Sequence, residues 1–553
     1  MESSNRGLSA AQLFVKCLEA EGVDYIFGVP GEENEAFLFA LAESNIQFVP
    51  TRHEQGAAFI ANVIGRITGK AGICLSTLGP GATNLITGVA DAYLDKSPVV
   101  AITAQGGIDR MHHESHQLID IVQMFKPITK WNDSIKDPDT IPEFVRKAFK
   151  LAEMEKPGAT HIELSEDIAS LQVDSKAKPL TVNSNRRPAA HPASIKEAIQ
   201  MIQRANKILI LAGNGAIRNR ASKALTEFSM KYNFPVSSTF MGKGAVSDKL
   251  STALGSVGLG FKDYVIEAFE QADLILTIGY DIAEFNPANW NIGEKKKIIH
   301  IDFEPSEVYT EYIPDLELIG DIGEILQVLS DQLNQPARDN WFYAIRDRVR
   351  HSIEEFSQSD QEESFHVPGV IAAVREIMDD DGLLISDVGS HKMWIARNYQ
   401  TYTPNGCIIS NGLASMGIAL PGGIAAKIVD PNRQVVSLMG DGGAMMNIQE
   451  LETAKRMKTG YCIVICNDNN YGLIEWKQKR NTNSSTGTKL TNPDFTALAR
   501  SFDIPGFKPN TIGAFKSILK KHLNENKLCV IEMPIDPSVN ESLTDELNNY
   551  FNS

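Results

Sequence analysis

Short apolar runs recur along the chain, each followed by a glycine-bearing turn and then by a stretch with helical spacing of apolar positions. DYIFGVP, AGICLSTLG, SPVVAITAQ and THIELSEDI set this pattern in the first third of the sequence. Consecutive apolar and β-branched positions suit a strand buried on both faces, and strand–turn–helix alternation lays such strands side by side in one direction. The periodicity fails over 174–192, DSKAKPLTVNSNRRPAAHP, where proline and basic residues accumulate, and a linker is expected there. A second alternating block carries KILILAG, LILTIG and IIHIDFEP. A polar helical connection over about 336–364 leads to a third block with GLLISDVG, CIIS, RQVVSLMG, YCIVICND and LCVIEMP. The chain therefore reads as α/β, three doubly wound parallel-sheet domains in tandem, over 1–173, 193–334 and 365–553. A total of 553 residues fits that reading, because single cores stop growing at about 250–300 residues.

Composition narrows the partners. No run reaches the roughly 18 apolar residues that a bilayer-spanning helix needs, and the opening MESSNRGLSAAQLF lacks the apolar core of a signal peptide. A cytoplasmic protein is expected. The formal net charge of -16 argues against nucleic acid and against an anionic membrane, since either needs a basic face to displace counterions. The cysteines Cys17, Cys74, Cys407, Cys462, Cys466 and Cys529 show no CxxC spacing and mostly sit in apolar runs, so they read as buried reduced thiols. The polar segment NTNSSTGTKL, 481–490, reads as a mobile loop.

Candidate chemistry collects where strands end. QVVSLM runs into Gly440, Asp441, Gly442 and Gly443 and then into AMMNIQELETAKRM, which has helical spacing. Glycines let backbone N–H groups approach a phosphate, a helix N-terminus adds partial positive charge, and Asp441 can meet a hard cation bridging two phosphates. A second oxygen-rich cluster, NDNN, ends the next apolar run and sets Asp468 27 positions after Asp441. Adjacent parallel strands would bring both clusters to one carboxyl edge, where open α/β sheets bind ligands. Taken singly, each cluster is also an ordinary turn. Glu54 lies at a similar strand-to-helix junction, where an isolated glutamate is commonly a solvated helix-start charge. HHESH around Glu114 lacks the HExxH spacing of a zinc site. Gly213 and Gly215, in GNG, are weak evidence for a dinucleotide, and the middle block reads as a vestigial nucleotide-binding fold.

GDGG followed by NDNN resembles the thiamine-diphosphate signature of the acetohydroxyacid synthase and pyruvate oxidase superfamily. RHEQGAAF, continued by LSTLGPGATNLITGVADAYLDKSPVVAITAQ, resembles that superfamily's cofactor-activating segment. The resemblance runs from about residue 10 to residue 540 and implies three domains of the thiamine-diphosphate enzyme type: pyrimidine-binding, central Rossmann-like, and diphosphate- and metal-binding. It implies that Asp441 and Asp468 ligate Mg2+ by their side chains and Asn470 by its carbonyl. An aspartate at 468, where the superfamily more usually has asparagine, is shared with the catabolic acetolactate synthases. Gly389, Ser390 and His391 resemble a diphosphate-contacting GQH segment, with serine for glutamine. The resemblance also places Ala414 as acceptor for the cofactor's 4′-amino group and Met416 beneath its bent rings. Tyr471, Gly472 and Leu473 lie along the cofactor, and the segment LIEWKQ lines the pocket without the role that biosynthetic enzymes give a tryptophan one position beyond Trp476.

Glu54 is implied as the carboxyl group that hydrogen-bonds N1′ of the pyrimidine. The bound cofactor's own imino group can then take the C2 proton. Gly31 resembles the loop entering the site, and Gln117, preceded by His116, the substrate side. Glu54 would reach the cofactor of a partner chain, which implies a homodimer at minimum and a homotetramer as the fuller assembly. GYDIAEFNPANWNIGEKKKIIHID and YIPDLELIGDIGEIL resemble the catabolic, flavin-independent acetolactate synthases and lack the arginines of FAD-binding members. The expected reaction decarboxylates pyruvate and joins the remaining two-carbon unit to a second pyruvate, giving 2-acetolactate and CO2. Two readings stand beside it: another thiamine-diphosphate-dependent 2-oxo-acid decarboxylase or carboligase, and a non-catalytic nucleotide-binding protein. The latter has no use for a carboxyl at N1′.

Overall fold

The computed structural model describes residues 7–183, 187–218, 220–258, 264–291, 293, 296–358 and 365–541. Parts of the expected linker (184–186), of the helical connection (359–364), of the middle-block segment compared with flavin binders (292, 294, 295) and both chain ends lie outside the described residues.

Three six-stranded sheets carry the fold, and every strand pairing is parallel. The first holds β1 (Tyr25–Gly28), β2 (Gln47–Pro50), β3 (Gly72–Ser76), β4 (Val99–Gln105), β5 (Trp131–Ser134) and β6 (Ala159–Ser165), in the order β2-β1-β3-β4-β6-β5. The second holds β7 (Ile208–Ala212), β8 (Val236–Ser238), β9 (Ala253–Ser256), β10 (Leu274–Ile278), β11 (Lys297–Asp302) and β12 (Leu316–Ile319), in the order β12-β11-β10-β7-β8-β9. The third holds β13 (Leu383–Ser386), β14 (Cys407–Ile409), β15 (Val435–Gly440), β16 (Cys462–Asn467), β17 (Gly506–Phe507) and β18 (Cys529–Pro534), in the order β14-β13-β15-β16-β18-β17.

The inner strands follow from the apolar runs. Along β7, Ile208, Ile210 and Ala212 enter one buried cluster while Leu209 and Leu211 enter another on the opposite face. This explains an unbroken apolar string in place of alternation. The strands that the runs do not reveal lie mostly at or next to an edge. β5, β12 and β17 are only partly buried, and the first two carry polar residues such as Asn132, Asp133 and Glu317. Short, polar edge strands also discourage pairing with other chains.

The first and third sheets share one strand order, with a reversal between β1 and β3 and between β13 and β15. Read from its other edge, the second is β9-β8-β7-β10-β11-β12, the dinucleotide-binding order with its reversal between β7 and β10. Such reversals open a crevice beyond the strand ends, and that is where ligands bind. The described residues form two compact units, one drawn from 1–185, 413–431 and 447–459, the other from 186–412, 432–446 and 460–553. In the first unit, helix Ala419–Val429 packs on helix Glu54–Thr68, although it comes from the last third of the chain. No described helix is long and apolar enough to cross a membrane. All six cysteines are buried thiols.

At the reversal of the second sheet the turn after β7 is filled from within. Gly213 N–H donates to Ile278 O at 3.0 Å and Gly215 N–H to Gly279 O at 2.8 Å. Gly279 has φ +57°, and a Cβ there would lie 2.3 Å from the Ala216 nitrogen, so no side chain is admitted. The Asn214 N–H donates to both oxygens of Glu284, at 3.0 and 3.2 Å, and Thr239 Oγ1 donates to Glu284 Oε2 at 2.5 Å. The chain's own carboxylate thus occupies the N–H group that a dinucleotide phosphate would seek. Burial, and then the nearby Asp281, push the Glu284 pKa from 4.5 up to about 7. An acid whose folded pKa exceeds its unfolded value stabilises the fold fully below the unfolded pKa and loses that contribution as pH rises through the folded one. Calorimetry from pH 4.5 to 8 is expected to find wild-type stability falling by up to about 3 kcal/mol from this group, with Glu284→Gln flattening the decline. An unchanged pH profile in the variant would contradict the assignment.

Candidate active site

Each half of the site is built by strand ends. In the first unit, β2 delivers the chain to His53, whose Nδ1 accepts the Gln55 N–H at 3.0 Å and caps the helix that Glu54 begins. Glu54 is buried, with 7% of its surface exposed. Asn84 Nδ2 donates to Glu54 Oε2 at 2.9 Å and fixes the carboxyl. A Cβ on Gly81 would stand 3.2 Å from Glu54 Oε1. Sequence reasoning missed Asn84, although it lies in the string that carried the resemblance.

Gly31 lies against Thr77, where a Cβ would come within 2.5 Å, and Thr77 Oγ1 donates to Glu33 Oε2 at 2.7 Å. Gln117 and His116 lie on an exposed loop, and Gln117 adopts φ +59° with its carbonyl packed against Gly79. A non-glycine residue there is strained, a condition that recurs at functional loops. Among the described residues no group of three His, Cys, Asp or Glu side chains is placed to hold a metal, the HHESH stretch included. Ala414 also adopts the left-handed region, at φ +56°, and Met416 is half-buried. The N–H of Ser415, between them, donates to Asp91 Oδ1 at 3.4 Å.

In the second unit the ends of β13, β15 and β16 converge at the reversal of the third sheet. A Cβ on Gly440 would touch His391 Cε1 at 3.3 Å, one on Gly389 would lie 2.8 Å from the same ring atom, and one on Gly443 would strike Asp387 Oδ1 at 2.5 Å. One on Gly472 would strike Asp468 Oδ2 at 2.7 Å and come within 3.5 Å of Ser390 Oγ. At these glycines a side chain would crowd His391, Asp387 or Asp468. Burial pushes the His391 pKa down to about 4, and its Nε2 has no partner. Gly442 N–H donates to Asp441 Oδ1 at 2.9 Å, and Asn492 Nδ2 to Asp441 Oδ2 at 2.6 Å, Asn467 Oδ1 at 3.0 Å and Asn469 Oδ1 at 3.2 Å.

The electrostatics of this cluster call for a cation. Burial raises the Asp441 pKa, and burial followed by Asp441's charge pushes Asp468 up to about 7. Asp468 Oδ1 and Asn470 Oδ1 are buried without partners. Two desolvated carboxylates with unsatisfied oxygens fit a hard divalent ion, which would satisfy both and remove their repulsion. The three oxygens gathered on the Asn492 nitrogen show how closely the surrounding acceptors converge.

Three local expectations need correction. AMMNIQELETAKRM is not one helix: it begins as a single turn, Asp441–Ala444, and continues as a 3-10 turn, Ile448–Glu450, and a helix, Leu451–Arg456. At the break, Asn447 leaves helical geometry, at φ -136° and ψ 27°, and its Nδ2 donates to Gly417 O at 2.9 Å. One turn has little macrodipole, so an anion bound here would depend mostly on the glycine N–H groups. The polar segment 481–490 is not loose, because Tyr471 N–H donates to Thr488 O and Leu490 N–H to Asn469 O, both at 2.9 Å, and Thr488 is buried. The first two residues of the segment end helix Gly472–Thr482. Trp476 is buried in the third sheet's core, and Leu473 packs on that core, so LIEWKQ does not line a pocket throughout.

Models of thiamine pyrophosphate enzyme domains match all three blocks: the N-terminal TPP-binding domain over 8–124, the central domain over 195–329 and the C-terminal TPP-binding domain over 387–533. The sheet topology and the paired carboxylates therefore belong to a thiamine pyrophosphate enzyme. Full-length relatives narrow the class. The chain is 34% identical over 550 residues to a catabolic acetolactate synthase of Raoultella terrigena, covering 97% of both chains. It is 33% identical over 548 residues to an acetolactate synthase of Bacillus subtilis, covering 98% of this chain and 95% of that one. With the large subunit of acetolactate synthase isozyme 2 of Escherichia coli it shares 32% over 532 residues, 96% of each. The chain belongs to the acetolactate synthase family.

Asp468 costs the metal-free protein stability. In chelator at pH 8, Asp468→Asn is expected to raise stability by about 1–3 kcal/mol by removing a buried like charge, while the stabilisation that added Mg2+ gives the wild type shrinks. Differential scanning calorimetry with and without Mg2+ reads both; a variant less stable in chelator would contradict the electrostatic account.

Proposed function

We propose that this enzyme decarboxylates pyruvate and joins the two-carbon remainder to a second pyruvate, releasing CO2 and 2-acetolactate, with thiamine diphosphate held through Mg2+. The observation that carries the reading is the buried Asp441–Asp468 pair at the reversal of the third sheet. Bound there, thiamine diphosphate supplies a carbon acid that can attack a 2-oxo acid, accept the electrons of decarboxylation and pass the acyl unit on.

The chain's residues hold, orient and move protons. Asp441 and Asp468 side chains and the Asn470 carbonyl take Mg2+, and Gly440, Gly442, Gly443, Gly389, Ser390 and His391 meet the diphosphate. Tyr471, Gly472 and Leu473 flank it. Glu54, oriented by Asn84 through Oε2, would hold a proton at N1′ of the pyrimidine, the Ala414 carbonyl would accept from the 4′-amino group, and Met416 would support the cofactor's rings. Gly31, His116 and Gln117 approach from the substrate side. FAD has no part in this reading, which the Glu284 carboxylate on the Asn214 N–H supports.

We take the active form as a homodimer at minimum, and as a homotetramer in the fuller assembly, Glu54 of one chain serving the cofactor of another. The exposed apolar side chains of Leu413, Met445 and Met446, beside site residues in sequence, support a covering partner. Domain limits of 1–173, 193–334 and 365–553 suit strands that fall at 25–165, 208–319 and 383–534. A cytoplasmic setting suits six buried thiols.

Purified protein given pyruvate, thiamine diphosphate and Mg2+ without FAD is expected to form acetolactate, and Glu54→Gln to lose at least about 100-fold in kcat. Acetaldehyde as the sole product would assign a decarboxylase instead. Undiminished turnover in the variant would remove Glu54 from the mechanism.

A further inference from the structure

The turn that presents Glu54 is held by a carboxylate nearly 400 positions away in sequence. Glu450 is fully buried. Its Oε1 accepts the N–H of His53 at 3.0 Å and of Arg52 at 3.1 Å. Its Oε2 accepts Thr453 Oγ1 at 2.5 Å and the Arg52 N–H at 3.3 Å. Gly56, in the first turn of the same helix, presses on the carboxylate so closely that a Cβ would lie 2.6 Å from Glu450 Oε1. Arg52 and His53 sit where β2 has ended and the helix has begun, so their N–H groups have neither ladder nor helix partner. Burial raises the Glu450 pKa and the hydrogen bonds from Thr453, Arg52 and His53 oppose that rise, as for a carboxylate whose acceptor oxygens are used.

The same short turn has a second hold. Asn447, three residues before Glu450, donates to the carbonyl of Gly417, next to Met416. One 3-10 turn therefore grips both the segment that presents Glu54 and the segment that carries Ala414 and Met416, all within one compact unit.

We infer that Glu450 is a positioning residue for Glu54, holding the Arg52–His53 backbone so that the Glu54 carboxyl is presented in a single orientation. The inference rests on the proposed role of Glu54 at the cofactor pyrimidine. Glu450 touches no reacting atom. Its loss frees two backbone N–H groups and lets the start of the helix shift, and a displacement of about 1 Å at a proton-transfer group costs on the order of 100-fold.

Two readouts on Glu450→Ala and Glu450→Gln test this. Hydrogen–deuterium exchange by mass spectrometry of the metal-free protein is expected to show faster exchange in the peptide spanning 51–55 in the alanine variant, with little change in peptides from the second sheet. Deuterium exchange at C2 of bound thiamine diphosphate, followed by NMR with Mg2+ present, is expected to slow roughly 10- to 100-fold in Glu450→Ala. Glu450→Gln, which keeps one acceptor oxygen and the side-chain shape, should fall between that and wild type; it carries the test if the alanine variant does not fold. Unchanged amide exchange over 51–55, or faster amide exchange with C2 exchange at the wild-type rate, overturns the inference. If Glu54→Gln itself leaves C2 exchange untouched, the reading of Glu54 fails, while the amide-exchange arm still judges whether Glu450 holds the turn.

Discussion

Two carboxylates that repel each other in a desolvated crevice set the terms for the third sheet. Asp441 and Asp468 end adjacent strands, β15 and β16, and parallel pairing in register leaves them little room to separate. Without a cation the arrangement costs the fold stability; in the function proposed above, a divalent cation removes that cost and anchors a diphosphate. The glycines at 440, 443 and 472 are consequences of the same crowding, since a Cβ at each would meet His391, Asp387 or Asp468.

Topology alone does not set the sheets apart. Each of the three sheets has a strand-order reversal near its middle and so a crevice beyond the strand ends. In the third it is lined with unsatisfied oxygens. In the second, Glu284 accepts the Asn214 N–H and the glycine turns pair with each other, which supports the proposed reading without FAD. The difference lies in side chains at strand ends, not in the fold.

The sequence made the inner strands and the carboxylate clusters legible because burial on both faces leaves an unbroken apolar string and because glycine–aspartate turns follow it directly. β5 and β12 were not legible, since an edge strand that is half solvated carries polar residues and resembles a loop. The break at Asn447 was hidden because AMMNIQELETAKRM has helical spacing, and what interrupts it is a hydrogen bond to Gly417, distant in sequence. Nothing in AMMNIQELETAKRM singles out Glu450, because its partners Arg52 and His53 lie near the other end of the chain. Trp476 and the 481–490 segment were misjudged for a related reason, since packing against the core and a hydrogen bond to Asn469 are set by tertiary neighbours rather than by local composition.

The central claim is that Asp441 and Asp468 together hold one divalent ion at the end of the third sheet. Anomalous diffraction from crystals grown with thiamine diphosphate and Mn2+ in place of Mg2+ tests it directly. The account predicts a single strong peak about 2.2 Å from an oxygen of each carboxylate and from the Asn470 carbonyl; a peak bound elsewhere, or none at this edge with thiamine diphosphate in place, would contradict it.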